Sequence, residues 1–468
     1  MVPYFPKQIT YMAVGVYLFS LLIVSLFFLE YIMKFGYILL GIVSVSFFFL
    51  MTHSLSLGWR KNSNEDFTTR LFILAFSLRL LWVFASYFYY IKVNGTPFEF
   101  DAADSIGYHN EAEWLAEEQW DEAFMYYFGP LSTGISDVGY PLYLTVLYKL
   151  FGVNIIIPRI IKTILSTITC ILVYKLSSRS FGENTGRIAG IMTALMPNLI
   201  LYCGYHLKET EMIFLEVVFL ERFDYLVRSR KATFLSIILP TIALSLLFFF
   251  RTVLGASAIF AFITTILVSS TPTMKRGWKR TALIAWGVLG LVAVGGGKIA
   301  SELEEYWEEK DINLEEKRTE QTSRGYQWAR YATGPIMAPL AFVLPFATMI
   351  DVDQQLGQQE KSGGNYVRNF MGFFAFLAVY EAIRRKKLRD FAMIGAFTLA
   401  YLAVVSRSGF SNSERFLLPA LPCLIMMWSY GIAMLRKPSY KALSAWCIIV
   451  FFMEVGWAFF KIGSRALL

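Results

Sequence analysis

Apolar runs of about twenty residues recur along the whole chain and constrain its fold more than any other feature. Of the 468 residues, 56% are hydrophobic and 17% are aromatic. Such runs cross a bilayer only as helices or closed barrels, because every backbone polar group must find a partner inside the hydrocarbon. Their length favours helices, so the sequence predicts an all-α, polytopic protein of the lipid bilayer with about thirteen transmembrane helices.

Loops divide this single transmembrane domain (1–468) into five parts. They are the first three spans (9–92), an acidic outer loop with juxtamembrane helices (93–153), a six-span core (154–300), a second outer loop (301–365) and four C-terminal spans (366–468). The segment 334–350 of the second outer loop has three prolines. It is too short to span the membrane comfortably, so we expect it to be re-entrant or to lie on the surface.

Basic residues lie in short clusters between the apolar runs, as at Arg60–Lys61 and Arg436–Lys437. Because basic loops tend to stay in the cytoplasm, this pattern predicts a cytoplasmic N-terminus in a cell (inner) membrane. The net charge of +8 is accounted for by such orienting clusters and does not indicate a nucleic-acid partner. The cysteines lie in apolar runs without metal-type spacing, and we interpret them as small hydrophobic residues; they are Cys170, Cys203, Cys423 and Cys447.

An acidic stretch, Phe98–Pro141, interrupts the apolar pattern with ten carboxylates and no Lys or Arg. Residues this polar do not lie in hydrocarbon, so we predict a loop at the outer membrane surface. The apolar run Gly139–Gly152 that follows is too short to cross, and we expect it to lie at the outer face or to dip into it.

Asp104 is the main catalytic candidate in the acidic stretch. It stands four residues before Tyr108, a spacing that puts both side chains on one helical face, and Asp101 lies one turn earlier as the competing candidate. A carboxylate there could act as a general base or bind a divalent ion. The alternative is that these acids only solvate a surface helix.

A second candidate group, Tyr205–Thr210, lies at the outer end of a predicted span. Lys208 is suited to a phosphate, and Glu209 to a metal ion or a sugar hydroxyl. Two of the three histidines, His109 and His206, fall in the two outer loops, which suggests a divalent cation such as Mg, Mn or Zn. The alternative is an interfacial turn whose charges reach water.

Arginines at predicted outer ends run against the positive-inside trend. Arginine suits bidentate recognition of phosphate, so as a set these residues favour an anionic, lipid-linked substrate, although each could instead pair with a headgroup or a loop. They are Arg251, Arg324, Arg330, Arg368, Arg407 and Arg415.

The order of these features resembles the GT-C glycosyltransferases, in particular the group of protein mannosyltransferases and aminoarabinose transferases (glycosyltransferase family 39-like). The similarity covers roughly 70–270 and, loosely, 405–435. It rests on Asp-x-x-x-Tyr-x-x-x-Ala from Asp104, Gly-Tyr-Pro-Leu-Tyr from Gly139, Phe181-Gly182, Lys-Glu-Thr from Lys208 and Arg-x-x-x-Pro-x-x-Pro from Arg415.

The resemblance implies a GT-C-like bundle with its active site at the outer face and a sugar on polyprenyl phosphate as donor. The acceptor would be a lipid, a glycan or a protein. The essential aspartate of the family's first loop corresponds to Asp104, with Asp101 as the competing match, and the acidic residue of its next outer loop to Glu209, where many relatives have Asp. The Gly-Tyr-Pro element corresponds to Gly139–Pro141.

We therefore expect an inverting transfer in which Asp104 deprotonates or orients the acceptor. The leaving phosphate would be stabilised by Lys208, Arg251, Arg330 and Arg415, with a metal ion near Glu209 and His206, and the substrates would contact Tyr108, His109, Asp137 and Tyr140. Two alternatives stay open: a transporter or flippase of lipid-linked sugars, and a glycan polymerase or ligase whose large outer loop would be 301–365.

Overall fold

The computed structural model describes residues 2–128, 136–228, 234–268, 340–351, 356–407 and 413–463. Within these ranges the chain is helical and contains no strand. The helices are α1 (Lys7–Phe27), α2 (Phe35–Gly58), α3 (Asn64–Asn94), α4 (Ala103–Glu117), α5 (Trp120–Phe128), α6 (Gly139–Phe151), α7 (Ile156–Phe181), α8 (Glu183–Leu195), α9 (Pro197–Gly204), α10 (Glu209–Arg228), α11 (Phe234–Phe250), α12 (Thr252–Val268), α13 (Leu356–Arg384), α14 (Ala392–Arg407), α15 (Glu414–Leu417), α16 (Leu421–Ala433) and α17 (Lys437–Gly463).

Seven helices in the described part are long and apolar enough to cross a membrane, as expected for a multi-pass membrane protein. An eighth span results if α8 and α9, which are bent by 42° at their junction, count as one. The predicted count of about thirteen is not confirmed: α11 and α12 are shorter apolar helices, and the predicted run 281–300 lies outside the described residues.

Basic residues that follow apolar runs lie at one end of the bundle. Arg179, at the end of α7, donates to Glu221 at 2.8 Å and to Asp224 at 3.1 Å, both on the last turns of α10. Arg187 of α8 donates to the carbonyl oxygen of Trp59 at 2.8 Å. The connections α2–α3 and α7–α8 and the end of α10 therefore lie together.

The opposite end of the bundle, where α3 ends and α7 begins, carries α4, α5 and α6; we call it the site end. Arg159 on the first turn of α7 donates to the carbonyl oxygen of Pro97 at 2.7 Å, so α7 begins beside the end of α3. The 13-residue helix α6 lies between them in sequence without carrying the chain to the other end.

The break between α8 and α9 is caused by Pro197, which cannot donate to a helical carbonyl. Arg79 of α3 takes up the acceptors left at the end of α8: it donates to Ala194 at 3.0 Å and to Thr193 at 3.1 Å. Its Nε also donates to Ser166 of α7 at 2.7 Å. The buried Arg79 side chain therefore links the bend between α8 and α9 to α3 and α7.

The described part of the proline-rich segment, residues 340–350, is irregular and buried. Buried backbone groups that are not in a helix must find hydrogen-bond partners inside the protein. Asn369 of α13 supplies them, with its Nδ2 donating to Val343 at 2.6 Å and to Pro345 at 2.8 Å. Arg368 donates to Ala341 at 3.0 Å, so this predicted phosphate-binding arginine holds backbone instead.

Candidate active site

Arg415, on α15, joins two of the predicted acidic residues at the site end. Its Nη1 donates to Oδ2 of Asp104 on α4, and its Nε donates to Oε1 of Glu209 at the start of α10. The Asp104 side chain is 58% exposed and that of Glu209 is fully buried. Charge-assisted contacts of this kind are among the stronger hydrogen bonds in proteins. The two carboxylates expected to share a site thus share one guanidinium.

Glu414 holds Arg415 in this position. Its carboxylate is buried and accepts from Asn198 Nδ2 at 2.9 Å and from the Tyr202 hydroxyl at 2.5 Å. Both partners belong to α9, so the first turn of α15 is fixed to the helix that precedes the Lys208–Glu209 turn. Sequence reasoning missed Glu414, although an acid directly before the favoured arginine was a visible signal.

Lys208 forms a third ion pair at the site, with the carboxylate of Asp137. Its ammonium also donates to the carbonyl oxygen of Phe250 at 3.2 Å and lies 5.9 Å from the ring of Tyr108. The lysine side chain is 1% exposed, whereas that of Asp137 is 59% exposed. The pair therefore connects a buried cation with the surface of the site.

Burial lowers the pKa of Lys208 to about 8, against the opposing effect of Asp137. For Asp137, burial raises the pKa, but the charges of Lys208 and Arg251 outweigh it and hold the pKa below its usual value. Asp137 is therefore ionised at neutral pH, whereas Lys208 titrates close to it.

The backbone conformation directly before α6 places Asp137 next to Lys208. Asp137 has a φ of +70°, a left-handed conformation that aspartate adopts more readily than bulky residues. Two residues later, a Cβ on Gly139 would lie 2.5 Å from the ring of Phe250 and 3.0 Å from the backbone of Phe249. The glycine of the Gly-Tyr-Pro element thus permits close approach of α6 to the end of α11.

Arg251, between α11 and α12, is the third cation of the site. Its guanidinium carbon lies 4.4 Å from the ring centre of Phe416, next to Arg415 in sequence. Its Nη1 atom is buried and has no hydrogen-bond partner among the described residues. The cations Lys208, Arg251 and Arg415 and the carboxylates Asp104, Asp137 and Glu209 therefore form one network of balanced charge.

The predicted aromatic and histidine residues form two layers. Tyr108 packs edge-on against Tyr140 with 5.2 Å between ring centres. The ring centre of His206 lies 6.0 Å from that of Tyr140. The hydroxyl of Tyr148 contacts His109 Nδ1 at 2.8 Å and His206 Nε2 at 3.2 Å. The two histidines are therefore tied together behind the tyrosines, and burial lowers the pKa of His109.

The metal ion expected near Glu209 and His206 stays a prediction: Glu209 Oε2 and His206 Nδ1 are buried and have no hydrogen-bond partner among the described residues, whereas the other atom of each side chain is engaged. Glu209 Oε1 accepts from Arg415, and His206 Nε2 faces Tyr148. In the described ranges, no three His, Cys, Asp or Glu side chains are grouped as metal ligands would be.

Two other predicted site residues are not part of the network as described. Asp101, the competing candidate for the base, has a φ of +59°, and its Oδ2 atom faces the start of α13, 3.4 Å from where a Cβ on Gly357 would lie. Arg330 lies outside the described residues, as does Arg324.

Two buried residues that the sequence did not single out hold the backbone around the site in place. Glu99 accepts from the backbone nitrogen of His206 at 3.2 Å and from the hydroxyl of Ser105, next to Asp104. Lys162 of α7 donates to backbone carbonyls of the α9–α10 loop. The available signals were an acid between two phenylalanines and a lysine inside an apolar run.

No family model and no curated protein matches the sequence. Among solved structures, the chain is similar to ArnT from Cupriavidus metallidurans bound to undecaprenyl phosphate, at 15% identity and a TM-score of 0.50, over 83% of this chain and 64% of that one. The apo form of the same ArnT matches at 14% identity and a TM-score of 0.43, over 72% and 56%. An Archaeoglobus fulgidus oligosaccharyltransferase in complex with Zn and sulfate matches at 13% identity and a TM-score of 0.44, over 86% and 52%.

The chain spans somewhat less than two thirds of the length of the undecaprenyl-phosphate-bound ArnT. At this level of identity the likeness describes the fold alone. ArnT is a GT-C glycosyltransferase. The chain therefore has a GT-C-like fold of membrane-spanning helices.

Proposed function

We propose that this chain is a membrane glycosyltransferase that moves a sugar from a polyprenyl-phosphate donor to an acceptor at the outer face of the cell membrane. The observation that carries the proposal is the Arg415 guanidinium, which binds Asp104 and Glu209 at once, beside Lys208 and Arg251. The GT-C-like fold and the undecaprenyl phosphate bound to ArnT support the same reaction class.

The donor phosphate competes with Asp104 for Arg415. A phosphodiester that binds Arg415, Lys208 and Arg251 displaces the exposed Asp104 carboxylate, while the buried Glu209 keeps the guanidinium oriented. Asp104 is then free to accept a hydrogen bond from the acceptor. Binding of the donor therefore frees the Asp104 carboxylate to act as the base.

In the transfer step, the acceptor nucleophile bonds to the anomeric carbon from the side opposite the phosphate, and the bond between that carbon and the phosphate oxygen breaks. The electron pair of the broken bond stays on the carrier phosphate, and the acceptor proton passes to Asp104. Positioned cations that face developing phosphate charge provide a large part of such catalysis. Tyr108, Asp137 and Tyr140 surround the reacting groups.

The test uses purified protein in lipid nanodiscs and a panel of polyprenyl-phosphate sugars, with release of the free carrier phosphate as the readout. We expect Asp104→Asn to lower the release rate by about 10³-fold, the range of a lost general base. The same variant should bind polyprenyl phosphate at least as tightly as the wild type, because a neutral amide no longer competes as a charged partner of Arg415. Asp121→Asn, at an exposed position of α5, is the matched control.

Failure of the wild type to release carrier phosphate from any donor would overturn the proposal. Passage of intact donor across a vesicle membrane, without cleavage, would favour the transporter alternative. Near-normal release by Asp104→Asn would remove Asp104 as the base and turn attention to Asp101.

A further inference from the structure

Lys162 is a fully buried lysine on α7 whose ammonium faces the loop between α9 and α10. It donates to the carbonyl oxygen of Tyr205 at 2.9 Å and to that of Leu207. It also lies 3.8 Å from a carboxylate oxygen of Glu211, on the first turn of α10. The two carbonyl contacts are hydrogen bonds, whereas the contact with Glu211 is an ion pair beyond hydrogen-bond distance.

The loop that Lys162 holds, residues 205–208, carries the chemistry of the site. It ends with Lys208, and Glu209 follows as the first residue of α10. A second tether reaches it from the side, because the backbone nitrogen of His206 donates to Glu99 at 3.2 Å. Glu99 also accepts from Ser105, which adjoins Asp104. The loop is therefore fixed to α7 and to the start of α4 together.

We propose that Lys162 is a positioning residue for the candidate active site: its ammonium fixes the Lys208–Glu209 turn so that these side chains meet Asp137 and Arg415. Lys162 reaches the turn through backbone carbonyls and does not itself touch the substrate. The inference rests on the proposed function for its catalytic consequence, but the positioning role concerns the protein alone.

The effect of a substitution on stability distinguishes a positioning role of Lys162 from a purely structural one. Loss of one member of a buried ion pair is destabilising, whereas replacement of both members by uncharged residues is often neutral. Lys162→Met removes the three donors but leaves the buried Glu211 without its cation. It is therefore paired with Lys162→Met/Glu211→Gln, which we expect to fold with a melting temperature close to that of the wild type, and both variants should lose the geometry of the turn.

Hydrogen exchange of the purified chain tests the geometry directly. In Lys162→Met, amide exchange should rise in peptides covering 204–210 and stay unchanged at the opposite end of α7 and α10. Lys162→Arg, which keeps the charge and the donors, should restore protection. Lys175→Met, at an exposed position of the same helix, is the matched control and should change neither readout.

Steady-state kinetics test the effect of Lys162 on catalysis. The kcat for release of carrier phosphate should fall by about 10²-fold in Lys162→Met, since small displacements of catalytic groups have effects of this size. The donor KM should change much less, because Arg415 and Arg251 still face the phosphate. Lys162→Arg should recover at least about a tenth of the lost rate.

Unchanged exchange in 204–210 of Lys162→Met overturns the inference, whatever the activity. A fall in kcat that is matched, in Lys162→Met/Glu211→Gln as well, by a general loss of protection and stability also overturns it, because the role would then be structural. Increased local exchange in a chain whose wild type cleaves no donor leaves the positioning role standing and refutes the proposed function.

Discussion

Lys208 is a residue of the site whose charge changes close to neutral pH. Its side chain is almost completely buried beside Asp137, and burial lowers the pKa to about 8. Below this value the ammonium form dominates, and above it the neutral amine dominates. A phosphate ligand of Lys208 therefore loses one of its cations as the pH rises.

We predict that donor affinity declines as the pH rises through about 8. The donor KM, measured over about pH 6 to pH 10, should rise on the alkaline side. Lys208→Arg should remove this rise, because the guanidinium stays protonated over the whole range. A profile that is identical in the wild type and Lys208→Arg would show that Lys208 does not bind the phosphate.

The close packing of α6 against the end of α11 is the contact between elements on which the Lys208–Asp137 pair depends. Gly139 sits where any Cβ would meet the ring of Phe250. The same residue, Phe250, accepts from Lys208 through its carbonyl. A shift of α6 would therefore move Asp137 and the lysine's backbone acceptor relative to each other.

We predict that Gly139→Val separates these elements and lowers the rate of carrier-phosphate release by at least about tenfold, since overpacking forces backbone shifts. The expected loss of thermal stability is modest, because the contact lies at the edge of the bundle. Gly395→Val on α14 is the control, as no atom lies within 4 Å of its added Cβ. Full activity of Gly139→Val would mean that Asp137 is not required at its present distance from Lys208.

How far the sequence predicted the site depended on the kind of partner each residue has. Asp104, Lys208, Glu209 and Arg415 were visible as charges at predicted outer ends of apolar runs. The structure pairs Arg415 with Asp104 and Glu209, and Lys208 with Asp137. Their catalytic and binding roles stay predictions. A charge that stands out against hydrocarbon is the strongest signal a membrane sequence offers.

Two of the residues that were missed have backbone partners. Arg79 and Lys162 lie inside apolar runs and donate to carbonyl oxygens of α8 and of the α9–α10 loop. A sequence shows no pattern for such acceptors, because every residue has a carbonyl. His206, the predicted metal ligand, is a different case: it lies in the α9–α10 loop, but its side chain is fully buried and its ring centre is 6.0 Å from that of Tyr140.

At the scale of the whole molecule, the GT-C-like fold brings Asp104, Glu209 and Arg415 together from three distant parts of the chain. Arg415 lies between the two carboxylates, in the position that a bridging cation would take. The Glu209 carboxylate is therefore already compensated by a fixed positive charge.

We predict that release of carrier phosphate persists in excess EDTA, within about twofold of the untreated rate. Arg415→Lys should lower the rate, because a point charge cannot serve both carboxylates as the planar guanidinium does, and added Mg²⁺ or Mn²⁺ should not restore it. Loss of wild-type activity in EDTA with recovery on addition of one of these ions would contradict the prediction.

The balance of three cations and three carboxylates has an electrical consequence for the proposed reaction. A donor phosphodiester brings one negative charge into a neutral network, and the product monoester carries about two at neutral pH. The proton that Asp104 takes from the acceptor offsets this gain, so the total charge at the membrane surface is the same before and after transfer. The chemical step then transfers one negative charge from Asp104 to the carrier phosphate, and its rate would depend on the transmembrane voltage only to the extent that these two groups lie at different depths in the membrane.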